Sequence, residues 1–323
     1  MYDIANQSMQ DRFQILSLDG GGIKGLFSAY LLQKLEEDLQ IDIASCFDLI
    51  IGTSTGGIIA LALGMQKTPA QIVDLYSDLG TSIFPGPRWL GELRQYLAVR
   101  YSSKPLENEL KKCFPEEQLL GHSKKRLVIP SYDLGRREVR VFKTAHDERF
   151  TRDYKVPAWQ IAMATSAAPT YFQAFRSIEE RRLIDGGVWA NNPVIAGIVE
   201  AVGVLKIPLP SVRVLSIGTT AEVTYPPDKL DRGGFWQWKK GAAVIMDAQS
   251  SGATGQAYLL LGKDRFKRIN LSVPKDLFAL DKPAPEKLRA AASHVSMHEA
   301  PDIKRIFLDH AAQPFTPKHQ LEK

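Results

Sequence analysis

Three short stretches of the sequence carry residue types that can do chemistry together. In Gly52-Thr53-Ser54-Thr55-Gly56 a serine stands between two glycine positions, entered by the short strand 47–51, rich in large apolar residues, and left by the apolar run 57–65. A serine in that pattern caps a sharp strand-to-helix turn and holds its hydroxyl clear of the sheet, ready to attack a carbonyl. Small flanking residues fit because a strained turn leaves little room for side chains. In Leu183-Ile184-Asp185-Gly186-Gly187 an apolar strand delivers one carboxylate into a glycine turn. An ordinary Asp-Gly turn is the competing reading there. The third stretch, Asp19-Gly20-Gly21-Gly22-Ile23-Lys24-Gly25, places backbone N–H groups at the start of a helix, a setting that attracts negative charge. Beside a nucleophilic serine, an oxyanion hole belongs in such a loop.

The glycine loop has a second reading. Gly20-x-Gly22-x-x-Gly25 satisfies the dinucleotide fingerprint, which wants an acidic residue at the far end of the second strand to hold a ribose. Asp48 lies near the beginning of that strand, and the serine turn occupies its far end. No Gly-Lys-[Ser/Thr] follows the loop, so a phosphate-binding P-loop is excluded. A nucleotide-binding module without catalysis would leave the serine turn and Asp185-Gly-Gly unexplained.

The elements that must position these residues read as α/β. The spacing predicts a strand over 13–18, the glycine loop, and a helix from about Leu26 to Leu39 with Phe27, Leu31, Leu35 and Leu39 on one row. The serine turn's own strand comes next, so two βα units bring both loops to one edge of a sheet. Further on, helices are expected over 68–80, 159–166, 242–261 and 285–311. Strands are expected over 126–132, 138–142, 182–185, 212–217 and 266–271, with Asp133-Leu134-Gly135 turning the first pair and Asn191-Asn192-Pro193 opening a helix. Residues 88–101 mix apolar and basic side chains, as an interfacial or a packed helix does. Residues 225–240 carry Pro226, Pro227, Gly233 and Gly234, then Phe235, Trp236 and Trp238 against Lys239 and Lys240, which suits a lid or a membrane-touching flap.

Composition narrows the class. At 323 residues and 44% hydrophobic, the chain can bury a large core. A net charge of +5 suits an anionic lipid surface, but no basic stripe with interleaved aromatics supports a nucleic-acid binder. Two cysteines, Cys46 and Cys113, make no disulfide framework and point to a reducing, cytoplasmic home. The start has neither a basic n-region nor an apolar core. The uncharged stretches 49–66 and 156–175 are interrupted by Gly, Pro, Ser, Thr and Gln and read as buried elements rather than membrane spans. No metal spacing and no cofactor requirement is evident. The expected organisation is an arm over 1–12, one domain over 13–312 and a polar tail over 313–323.

Asp19-Gly-Gly-Gly-Ile-Lys-Gly25, Gly52-Thr-Ser-Thr-Gly56 and Asp185-Gly-Gly187, in this order and spacing, resemble the patatin-like phospholipase family. Ala164-Thr-Ser-Ala-Ala-Pro-Thr-Tyr-Phe172 and Asp247-Ala-Gln-Ser-Ser251 are similar to that family as well, so the resemblance covers about 13–270. It implies a three-layer α/β/α fold with a mostly parallel sheet, and a Ser–Asp dyad hydrolysing acyl esters of membrane phospholipids without metal. Carried over, Ser54 is the nucleophile and Asp185 the base. Gly20, Gly21, Gly22 and Lys24 supply the oxyanion hole, and Gly25, Gly52, Gly56, Gly186 and Gly187 are motif glycines. Lys24 stands where many relatives have Arg, which leaves the donor geometry open. Some bacterial members are activated by a cyclic nucleotide, for which no residue is assigned here.

The dyad is chemically reasonable from the residues alone. A serine hydroxyl is a poor nucleophile until a base takes its proton. A solvated Asp titrates near ~3.9, too low for that task. Apolar neighbours such as Leu183, Ile184 and Val188 would desolvate Asp185 and raise its pKa toward useful basicity. The alternative is a Ser54–Asp185–His triad using His294 or His298.

Overall fold

The first strand, β1 (Phe13–Leu18), is buried along its whole length, as a central parallel strand covered on both faces must be. The computed structural model describes residues 12–83, 101–223, 242–274 and 285–321. In chain order the other main elements are α1 (Gly25–Leu39), β2 (Leu49–Gly52), α2 (Thr55–Gly64), α3 (Pro69–Ile83), α4 (Lys104–Cys113), β3 (Arg126–Asp133) and β4 (Glu138–Lys143). They continue with α5 (Ala158–Ser166), β5 (Leu183–Asp185), α6 (Gly187–Ala190), α7 (Val194–Val199), β6 (Val212–Ile217), β7 (Ala221–Val223), α8 (Ala242–Leu261), β8 (Phe266–Ile269), β9 (Ser272–Pro274) and α9 (Pro285–Phe307).

The strands order as β4-β3-β2-β1-β6-β8, and β5 pairs with β3 off this path. β2, β1, β6 and β8 run parallel, as do β2 and β3, whereas β4 and β5 run antiparallel to β3. Alternation along the strands splits the core in two. Leu16, Leu18, Ile50, Leu215 and Ile217 face the layer of α1, α2, α3, α5 and α9. Ile15, Leu49, Ile51, Val212 and Val214 face α7 and α8. This is the expected three-layer α/β/α arrangement with a mostly parallel sheet.

One consequence of register organises the molecule. β2 pairs with β3 through Arg126–Val128, while β5 pairs through Ser131–Asp133 on the same edge of β3, because β4 occupies the other edge. The C-terminal ends of β2 and β5 therefore point at each other across Ile129 and Pro130. The turn after β2 carries Ser54 and the end of β5 carries Asp185.

The sequence expectations differ from the structure mainly at element ends. β2 starts at Leu49 rather than Phe47, because Ile43–Cys46 forms a 3-10 turn capped by the Asp42 side chain. α9 stops at Phe307, short of the expected 311, and contains Pro301. The helix α4 was not anticipated by periodicity; its apolar positions are confined to a few residues among charges. The polar tail lies along the domain: the Lys318 N–H donates to the Ala145 carbonyl (2.6 Å), His319 stacks on Tyr154 and Phe315 lies under the Arg126 guanidinium. The stretch expected to act as a flap, 235–240, and most of the mixed apolar-basic stretch 88–101 lie outside the described residues.

Candidate active site

Ser54 sits between β2 and α2 with φ 55 and ψ −122. A non-glycine residue held there costs on the order of 1–3 kcal/mol, so its surroundings must fix it. They do so on both sides. The Ser54 N–H donates to Thr165 Oγ1 (2.9 Å), and its carbonyl accepts the Ile58 N–H (3.0 Å) in the first turn of α2. Next door, Thr53 Oγ1 donates to the Ala190 carbonyl (2.6 Å), tying the turn to the segment after Asp185. The turn is tight enough that only glycine fits beside it. A Cβ on Gly52 would lie 2.1 Å from the Gly56 carbonyl oxygen, and one on Gly56 would lie 2.3 Å from that of Leu18.

Asp185 ends β5 and is buried. Its N–H donates to the Ala167 carbonyl (3.0 Å) at the end of α5, and its Oδ1 accepts the Gly187 N–H (2.7 Å). The Ser54 side chain lies beside the same carboxylate and acts on its charge. Burial pushes the Asp185 carboxyl up to about 6, against the opposing pull of the Ser54 side chain and the Gly187 N–H. Desolvation thus outweighs both neighbours. Gly186 lets the two strand ends close together, since a Cβ there would lie 2.4 Å from the Pro130 carbonyl oxygen.

The glycine loop closes the site on its third side. Gly20 packs against Ser54, where an added Cβ would lie 3.2 Å from the serine Cβ. The Gly20 N–H donates to the Asn191 carbonyl (2.9 Å), and the Lys24 N–H donates to the Gly21 carbonyl (3.2 Å). These two amides, expected at an oxyanion hole, therefore already have partners. Among the described residues, the Gly21 and Gly22 N–H groups have no such backbone partner. Gly22 adopts φ 59, a left-handed value that turns the chain into the short 3-10 helix Gly22–Lys24 leading to α1. Gly25 rests against Thr55, and Gly187 lies beside the Asn191 side chain.

The structure thus gathers Ser54, Asp185 and the glycine loop at one place. It does not bring the histidines there. His294 and His298 are exposed on α9, their rings 4.5 Å apart, and α9 packs on α1. Neither acts on the Asp185 carboxyl, whose neighbours are Ser54 and Gly187.

Three residues were not assigned to the site from sequence. Thr165 lay in plain view within the 164–172 stretch, but nothing marked its hydroxyl as the anchor of Ser54. In sequence Asn191 only opens a helix, yet its Oδ1 is buried without a partner and lies against Gly20 and Gly187. Thr219 packs on Gly21 and donates to the Gly20 carbonyl (3.2 Å). Behind the base, Ile184 and Ala167 border a cavity of about 720 Å³ whose wall includes Leu106, Met163, Phe172 and Phe175.

Among the described residues no helix is long and apolar enough to cross a membrane, and no group of three or more His, Cys, Asp or Glu residues is placed to hold a metal.

Known proteins resemble this chain in sequence and fold. The profile of the family described as patatin-like phospholipase matches residues 16–198. A cGAMP-activated phospholipase of Vibrio cholerae is 30% identical over 300 residues, covering 84% of each chain. One from Pseudomonas aeruginosa is 34% identical over 279 residues, covering 84% of this chain and 83% of its own. One from Escherichia coli is 32% identical over 259 residues, covering 74% and 72% respectively. The crystal structure of VipD from Legionella pneumophila superposes with a TM-score of 0.48 at 16% identity, covering 90% of this chain and 67% of that one. The chain belongs to the patatin-like phospholipase family and is a lipid acyl hydrolase.

Proposed function

We propose that the chain cleaves acyl esters of membrane phospholipids through a Ser54–Asp185 dyad. The observation that carries this reading is the strand register that aims the ends of β2 and β5 at each other, setting Ser54 beside a buried carboxylate that burial lifts to about 6, with no imidazole acting on it. As the Ser54 Oγ attacks the ester carbonyl, its proton passes to Asp185. The carbonyl oxygen takes up negative charge and is met by the Gly21 and Gly22 N–H groups, a type of donor typically worth roughly 3–4 kcal/mol each. Collapse of the tetrahedral adduct expels the lysolipid alkoxide, which takes the proton from Asp185, and leaves an acyl-serine. Water gives a proton to the same carboxylate as it attacks the acyl-serine, and collapse releases the fatty acid while Asp185 returns that proton to the departing Ser54 Oγ. The cavity beside Ile184 offers an apolar wall for an acyl chain.

The substrate lies in a bilayer, so the chain works as a cytoplasmic protein in peripheral contact with a membrane. The aromatic and basic residues Phe235, Trp236, Trp238, Lys239 and Lys240 suit that contact. Three relatives named as cGAMP-activated support activation by a cyclic dinucleotide here too. Mass spectrometry of phospholipid vesicles incubated with protein, with and without cGAMP, tests both parts. Free fatty acid and lysolipid should accumulate with wild type and not with Ser54→Ala, and a fluorophosphonate should label Ser54. Full hydrolysis by the alanine variant would overturn the dyad, and equal rates with and without cGAMP would overturn the activation.

A further inference from the structure

The glycine loop is held from below by a residue that lies 249 positions away, beyond the part of the chain matched by the family profile. Arg268 on β8 grips both oxygens of Asp19, with Nη1 donating to Oδ1 (2.8 Å) and Nη2 to Oδ2. Asp19 is the residue directly before Gly20, Gly21 and Gly22. To make this contact the guanidinium must cross β6, which lies between β8 and β1 in the sheet.

The sheet is built to let it cross. Ser17, Ser216 and Arg268 stand in one row across β1, β6 and β8. The two serines are fully buried and small, and Ser216 Oγ accepts a second bond from Arg268 Nη1 (2.8 Å). At Gly218, one step past the end of β6, a Cβ would lie 2.9 Å from Arg268 Nη2 and 2.3 Å from Asn270 Oδ1. A larger residue at Ser216 or Gly218 would block the lane. Asp19 is buried and Arg268 is largely so, and removing the cation leaves a buried carboxyl without its partner, which the loop must move to solvate.

We propose that Arg268 is a positioning residue for the oxyanion hole. Through Asp19 it fixes where the Gly21 and Gly22 N–H groups point, and it touches no reacting atom. The inference rests on the reading of those two amides as the oxyanion donors. A displacement of about 1 Å in such a group can cost on the order of 100-fold in rate.

The test compares wild type, Arg268→Lys and Arg268→Met on a soluble short-chain ester. Inhibition constants are measured for a long-chain trifluoromethyl ketone, whose serine hemiketal carries the oxyanion, and for the matching secondary alcohol, which forms none. Arg268→Lys keeps a cation but loses the two-pronged grip. It should fold, with kcat lowered roughly 10- to 100-fold and KM within about twofold. Ketone affinity should fall by the same factor as kcat, and alcohol affinity should hold. Arg268→Met should lose more on the same axis. If it does not fold, Arg268→Lys and Ser216→Ala carry the comparison. Unchanged kcat and ketone affinity in a folded Arg268→Lys would overturn the proposal, as would ketone and alcohol affinities falling together. Ser54→Ala, run alongside, separates the two readings: activity in that variant removes the proposed dyad, whatever Arg268 does.

Discussion

The hydroxyl of Thr165 accepts the Ser54 N–H at 2.9 Å and donates to the Pro130 carbonyl at 2.6 Å. One side chain on α5 thereby ties the strained serine turn to the point on β3 where the ends of β2 and β5 face each other. Pro130 also packs against Gly186, the residue after Asp185. The separation of nucleophile and carboxylate is therefore set by a relay through Thr165 and Pro130 as much as by the sheet.

Thr165→Val keeps the branched shape and removes the hydroxyl. A buried N–H and a buried carbonyl then each lose a partner, and an unmet buried group costs about 1–3 kcal/mol. Thermal unfolding should show a clear drop in Tm, and ester hydrolysis should fall by more than the loss of folded protein explains. Thr165→Ser should restore both. Equal Tm and rate in the valine variant would show that the serine turn is held by other contacts.

Gly56→Ala tests the closeness of the turn to β1. The added carbon would lie 2.3 Å from the Leu18 carbonyl oxygen and 2.7 Å from that of Asp19, both backbone atoms that cannot rotate away. Overpacking in a tight core typically costs about 1–3 kcal/mol, with more expected where backbone is the obstacle. A lower urea midpoint together with lost activity is the expected result. Gly255→Ala on α8, where the new carbon meets nothing within 4 Å, is the matched control: activity should hold and the urea midpoint should stay or rise, since alanine favours a helix interior over glycine.

His294→Ala and His298→Ala should each retain wild-type activity. Both side chains are exposed on α9, and surface changes of this kind usually stay within about 0.5 kcal/mol. A collapse of rate in either folded variant would return the mechanism to a triad.

Much of this site was legible in the sequence, for physical reasons. Gly52-x-Ser54-x-Gly56 and Asp185-Gly-Gly are local motifs, where backbone crowding within a few residues dictates residue type. The apolar runs at 49–51 and 57–65 also reported burial on both faces directly. What stayed hidden depends on contacts distant in sequence. Nothing near Arg268 announces Asp19, because only the order β1-β6-β8 makes them neighbours. The division of labour within the glycine loop was equally invisible. Gly20 was expected to serve an oxyanion, but its N–H goes to Asn191, and that bond exists only because the segment after β5 folds back onto the loop. The antiparallel course of β5, which aims Asp185 at Ser54, could not be inferred from a three-residue strand.

The rate and the stability should both depend on pH through Asp185. Asp185 must be ionised to accept the Ser54 proton, and burial holds its carboxyl at about 6. The rate on a soluble ester should therefore rise through pH 6 and level off above it, with no need for a histidine to titrate. Stability should run the other way. The folded carboxyl binds its proton more tightly than the unfolded one, whose reference value is 3.8. Asp185 contributes its full stability below pH ~4, and that contribution is lost as pH rises to about 6. The gap of about two pH units, at ~1.4 kcal/mol each, amounts to roughly 3 kcal/mol of stability given up at pH 7.5 to keep a charged base buried. Asp185→Asn should then be inactive yet more stable than wild type at pH 7.5, by up to that amount less the cost of one weakened acceptor. At pH 4 the wild-type residue is neutral and nearly the same shape as Asn, so the two proteins should melt together. Melting curves from pH 4 to 8 decide it: parallel profiles for wild type and Asp185→Asn would mean that Asp185 titrates like an ordinary carboxylate, and the reading of it as a desolvated base would fail.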